Sequence, residues 1–353
     1  MSVTVRPMRE QDARTQQGWV NGQTLPLISP PSGFLAALEQ FEHLRPFLRN
    51  VRMSAYYPWR GRDLSGRYKG ADAAIERVLG WCPNVRTLSL PPDASGSLSR
   101  ILSRILAQSP PPALASLHLH SFGDLEWHLL DHLPALQVLH INAPTLSPSP
   151  LPSPPQLRLR SFSINTRFSP WTVHTILALR PILDALLRTS STTLCRLDFP
   201  VDLGAFPHLG FPCLTVLTHR PPLWSEAPLG WQVAAGATDF LAMLASCSSL
   251  RTLVVSPSVC ATPREYIALL LESGQSRLAL SLPITLRDCD LHFSLTPLQA
   301  VRLIRQLPAN SQLEPSRLWV PMNGFEAAAE AGKERGIIVQ YRRPEDPPRL
   351  AFP

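Results

Sequence analysis

One hydrophobic pattern keeps returning along this chain: an apolar residue, two variable ones, an apolar residue, one variable, and a third apolar residue. It occurs as Leu48-Arg-Asn-Val51-Arg-Met53, Val85-Arg-Thr-Leu88-Ser-Leu90, Leu114-Ala-Ser-Leu117-His-Leu119 and Leu136-Gln-Val-Leu139-His-Ile141. It continues as Leu159-Arg-Ser-Phe162-Ser-Ile164, Leu194-Cys-Arg-Leu197-Asp-Phe199 and Leu250-Arg-Thr-Leu253-Val-Val255. Leu214-Thr-Val-Leu217-Thr-His219 is a weaker copy that ends in histidine. The alternation closing each copy predicts a strand with one face buried. Stripes at helical spacing precede several copies: Ile75, Val78 and Leu79; Leu98, Ile101, Leu102, Ile105 and Leu106; Phe240, Leu241 and Leu244. Pro83, Pro112, Pro134 and Pro212 each stand two residues before a leading apolar position. A proline there stops the helix and presets an extended lead into the strand.

A helix–strand unit cannot bury its apolar side alone. Stacking the units puts the strands in one parallel sheet with the helices behind it. Successive copies start 20 to 37 residues apart, overlapping the spacing of leucine-rich repeats. The predicted fold is therefore α/β: an irregular leucine-rich repeat solenoid, with parallel strands on the concave face and helices on the convex face. A flexible arm is expected over 1–33, the solenoid over 34–260, divergent repeats and a cap over 261–342, and a tail over 343–353. In the divergent part, Thr262-Pro-Arg-Glu265 and Thr296-Pro-Leu-Gln299 are capping boxes that open helices. Strands are expected at Leu278–Leu282, Leu291–Ser294 and Ile337–Tyr341. A helix over Phe325–Arg335 should end at Gly336.

Composition refines this reading in a few places. The 38 prolines among 353 residues are about twice ordinary usage, and turns before strands account for part of them. The net charge of +7 is spread along the chain, without the like-charge run of a nucleic-acid tail. None of the 6 cysteines forms a C-x-x-C pair, which excludes zinc-ribbon and thioredoxin-like sites. Reduced thiols in an intracellular protein, cytoplasmic or nuclear, are expected. No apolar stretch reaches the roughly 18 residues of a membrane span.

The segments around His43–Met53, Val78–Leu90, Leu133–Ile141 and Cys247–Leu253 are similar to the leucine-rich repeat region of fungal, mushroom-type F-box-like proteins. The resemblance covers roughly 41–260. It implies a protein-binding scaffold that recognises substrates for a ubiquitin ligase. In that family an F-box docks the Skp1 adaptor. Here only Leu25-Pro-Leu-Ile-Ser-Pro-Pro31 stands near its place, and prolines deny it a helix, so no Skp1-binding residue is carried over.

Candidate chemistry is sparse. His118, His120 and His140 share a strand face at about 5 Å spacing and could hold a transition metal, but polar residues on a half-wet sheet account for them as well. No metal or cofactor is expected. His128-Leu-Leu-Asp-His132 lacks the glutamate of an H-E-x-x-H protease. The aromatic and basic segment Tyr56–Lys69 makes a nucleic-acid-associated protein the alternative function, on a weak footprint. Trp224 and Trp231 are possible partner anchors. Gly-x-Ser-x-Gly and Gly-rich phosphate loops are absent, so no enzyme is predicted. The expected site is the concave face. It has a central exposed column of Arg52, Ser89, His118, His140, Ser163, Asp198, Thr218 and Val254. His120, on the same face as His118, belongs to the partner-binding set; a second column includes Arg196, and Arg49, Arg86, Arg160 and Arg251 form a basic rim. An unidentified protein or peptide is the expected partner.

Overall fold

The structure is a computed structural model. It describes residues 2–5, 36, 38–53, 71–90, 113–119, 130, 132–142, 157–165, 183–199, 209–219, 230–255, 269–271, 278, 281–291, 295–307, 317–321 and 325–342. Two compact units divide the chain, Met1–Leu159 and Arg160–Pro353.

The first unit carries β1 (Ser2–Val5), β2 (Asn50–Met53), β3 (Thr87–Ser89), β4 (Ser116–Leu119) and β5 (Val138–Asn142). Each strand pairs in parallel with the next in chain order. β1 corrects the expected flexible arm: Ser2–Val5 lines up with Asn50–Met53 as an outer strand. A 3-10 helix, Glu42–Phe47, precedes β2, and α1 (Ala71–Trp81) precedes β3. Arg45 ties the 3-10 helix to α1. Its guanidinium lies 4.5 Å from the Trp81 ring centroid, pairs with Glu42 at 3.1 Å and donates to Leu38 O at 2.9 Å.

The second unit carries β6 (Ser161–Asn165), β7 (Arg196–Phe199), β8 (Val216–His219), β9 (Thr252–Val255), β10 (Asp288–Leu291), β11 (Arg317–Pro321) and β12 (Ile338–Arg342). These too pair in parallel, each with the next. Its helices are α2 (Gly230–Ser246), α3 (Pro297–Gln306) and α4 (Phe325–Arg335). Residues 183–190 are also helical.

The leading, fourth and sixth residues of the repeat pattern build the core. Leu88, Leu117, Leu139, Phe162, Leu197, Leu217 and Leu253 have no exposed surface. Burying one such side chain contributes about 1.5–3 kcal/mol. A four-residue turn leads into several strands. The carbonyl of Cys82, Leu133, Phe211 or Cys247 accepts from Val85, Leu136, Leu214 or Leu250, at 2.9–3.2 Å. In three of these turns proline holds the second position, Pro83, Pro134 and Pro212, where its fixed φ suits the turn. The same geometry appears from Pro283 to Leu286 at 3.1 Å.

That last turn exposes a misreading. Leu286-Arg-Asp-Cys289-Asp-Leu291 is a further copy of the pattern, and β10 lies within it. The strand expected at Leu278–Leu282 is not one: Leu278 and Ser281 are helical and Leu282 lies in a bend. The strand expected at Leu291–Ser294 overlaps β10 only at Leu291. The capping box at Thr296 forms as expected. Gln299 N donates to Thr296 Oγ1 at 3.3 Å, and Thr296 N donates to Gln299 Oε1 at 2.9 Å. α4 keeps its expected bounds and ends at Gly336, whose φ of 67° is the left-handed region glycine tolerates. The predicted helices at Leu98–Leu106 and most of the one opened by Thr262 lie outside the described residues. No helix among the described residues is long and apolar enough to cross a membrane.

Candidate functional site

Three positions per repeat avoid the leucine side of the sheet. The first follows the leading apolar residue and forms a rim. Its backbone carbonyl accepts two N–H groups from the following repeat. Arg49 O takes Arg86 N and Thr87 N at 2.7 and 3.0 Å, and Arg86 O takes Ala115 N and Ser116 N at 2.8 Å each. In the second unit, Arg160, Cys195, Thr215 and Arg251 accept in the same way. This fork fixes rim side chains one strand apart, about 4.8 Å. The other two positions are the first and third residues of each strand.

In the first unit the rim holds Arg49 and Arg86. Arg86 is exposed; Arg49 is half-buried and its Nη1 donates to Asn84 O at 3.4 Å. The third strand position holds Arg52, Ser89, His118 and His140 in register. Arg52 is exposed, Ser89 is buried, and the two histidines are half-buried. The imidazoles of His118 and His140 stack at 5.4 Å between centroids and 25° between planes. A 2.9 Å hydrogen bond joins Ser116 Oγ and His118 Nε2. His120 and His128 lie outside the described residues, and His132 is exposed just before the turn into β5. Among the described residues, no three metal-ligating side chains come together.

In the second unit Arg160 and Arg251 are exposed on the rim, and Arg196 is half-buried at the first position of β7. The third strand position departs from expectation. Ser163, Asp198, Thr218 and Val254 were to form an exposed column, yet all four are buried, at 0, 1, 2 and 1% exposure. Asp290, in register beyond Val254, is 4% exposed. Asp198 is therefore withdrawn from the partner-binding set. Its Oδ2 accepts from Ser163 Oγ at 3.3 Å, so the carboxylate serves the interior, where a buried polar group needs such a bond. The repeat at Leu286 adds Arg287 to the rim, half-buried, and Arg317 stands exposed at the first position of β11. The sequence pattern hides Arg287 because Cys289 stands at the leucine position of its repeat, and hides Arg317 because Pro315 stands at the leading apolar position of the next.

The thiols offer no nucleophile where they are buried. Burial pushes Cys82 up to about 11, although the Arg45 guanidinium pulls the other way, and pushes Cys247 up to about 12. Cys289 is raised further, first by burial and then by Asp290 and Asp288. All three are free and neutral at physiological pH. His219 is wholly buried, stacked on Phe240 at 4.0 Å, and burial lowers its pKa from 6.5 to about 3. It is a neutral core residue. The Tyr56–Lys69 segment and Trp224 lie outside the described residues.

Comparison of the sequence with protein-family models finds no match, and comparison with curated proteins finds none either.

Proposed function

We propose that the chain is a leucine-rich repeat scaffold that binds a protein or peptide without catalysing a reaction, and that it recognises substrates for a ubiquitin ligase. One observation supports the binding role most. In each unit, rim and first-strand positions recur in register, with side chains that differ from repeat to repeat and keep surface exposed, while the leucines between them are buried. A row of unlike side chains on a repeated frame is how stacked-repeat proteins present an extended surface. The mixture of arginine, serine, threonine and valine suits a protein surface better than a small-molecule pocket. The ligase role rests on the resemblance of residues 41–260 alone, and the reading places the protein inside the cell.

Affinity purification from the native cell, followed by mass spectrometry, tests both parts. Skp1 and a cullin should be recovered with a further protein. A reproducible partner without Skp1 would keep the binding role and remove the ligase. No reproducible partner would contradict both.

A further inference from the structure

We infer that Arg251, Arg287 and Arg317 of the second unit bind an extended acidic segment of a protein partner; this rests on the binding role proposed above and names the partner's chemistry. The three arginines sit on adjacent repeats, linked through the backbone. Arg287 N donates to Arg251 O and Arg317 N donates to Arg287 O, each at 2.7 Å. Arg251 and Arg287 are rim neighbours one strand step of about 4.8 Å apart, and Arg317, in register with Asp288, lies a further strand step away and one residue along its strand. Arg251 and Arg317 are exposed, and Arg287 is half-buried. Among the described residues none of the three guanidiniums has an ion pair or a hydrogen bond, and Arg287 Nη1 is buried without an acceptor. By contrast, Arg45, Arg188 and Arg335 are engaged by Glu42, by Asp184 and by the carbonyls of Arg305 and Leu307.

A guanidinium fork matches a carboxylate in a bidentate pair, the strongest contact these groups make. An extended peptide repeats its same-side residues about every 6.6 Å, within reach of long arginine side chains set one and two strands apart. Asp288, half-buried at the first position of β10 and in register with Arg317, and Asp290, buried two residues on, set two acidic side chains beside the three basic ones. The balance favours a segment with a few spaced carboxylates over a polyphosphate backbone, whose continuous charge Asp288 would repel.

The test uses the full chain and a fluorescent peptide of alternating glutamate and serine, followed by anisotropy. Arg251→Gln combined with Arg317→Gln removes two exposed charges; Lys333→Gln, exposed on α4, is the control. The double variant should bind at least about tenfold more weakly and the control should match the parent. A lysine–serine peptide should not bind. Equal binding by the double variant, or no binding of the acidic peptide by the folded chain, would overturn the inference. So would tighter binding of random-sequence duplex DNA lost with the same two arginines, which would assign the rim to nucleic acid. If the peptide result fails while purification still returns a protein partner, only the acidic chemistry falls and the binding role stands.

Discussion

At the scale of single residues, His219 shows what a break in the pattern costs. Other copies end in an apolar residue, such as Leu90, Leu119 or Ile141; here an imidazole fills the same buried site. Its folded pKa of about 3 lies below the 6.5 of the unfolded chain. Below pH 6.5 the unfolded chain takes up a proton the folded chain refuses, so stability falls as pH drops from 6.5 toward 3, by up to about 1.4 kcal/mol per unit. Denaturation of His219→Leu and the parent from pH 7.5 to 4.5 should show a difference that shifts steadily in the variant's favour as pH falls; a constant difference would contradict this origin. Glycines give a second pair of expectations. A Cβ at Gly332 would come within 2.6 Å of Val339 Cγ2 and 2.7 Å of Ile337 O, where α4 meets β12, whereas at Gly80 it would meet nothing within 4 Å. Gly332→Ala should lower stability by about 1–3 kcal/mol, and Gly80→Ala should raise it by up to about 1 kcal/mol through helix propensity, both read from denaturant midpoints. Alternation revealed which side of the sheet Asp198 and Thr218 take. It gave no sign that both would be buried there, because a period of two separates the faces of a strand and says nothing of how exposed each face is.

Elements were legible where local chemistry agreed with long-range packing. The capping box at Thr296 and the stop at Gly336 were readable because a few neighbouring residues determine them. Leu278-Ala-Leu-Ser-Leu282 misled because short apolar runs fit both periods: its leucines alternate, and Leu278 and Leu282 are also one helical turn apart. β1 hid in Ser-Val-Thr-Val, a strand-like alternation too short to stand out beside the charged residues that follow it. β10 hid because aspartates flank Cys289, and they read as loop. The repeat it belongs to should matter to stability. Leu286, 4% exposed, leads that repeat, and Leu286→Ala should cost about 2–5 kcal/mol. Thr296→Ala should cost only about 1 kcal/mol by loss of the cap. Comparable effects for the two, measured by thermal or denaturant unfolding, would argue that Leu286 is not a core position.

At the scale of the whole molecule, the α/β class and the parallel pairing within each unit followed from the spacing of leucines. The division at Leu159 did not: the proline- and serine-rich stretch 146–155 precedes it, but the repeat pattern resumes at Leu159 and reads as one continuous array. Partner chemistry was the least legible feature, since it depends on which variable positions remain exposed once the repeats stack. The whole account therefore depends on register, and disulfide trapping tests register most directly. Thr87 and Ser116 are parallel neighbours in the first unit, as are Val216 and Thr252 in the second. Cysteines placed at either pair stand about 4.8 Å apart at Cα, inside the range a disulfide spans; Thr87 paired with His118, two residues further along, does not. The account predicts rapid bond formation under mild oxidation for both in-register pairs and none for Thr87 with His118, mapped by peptide mass. A bond in the shifted pair, with the in-register pairs left reduced, would contradict it.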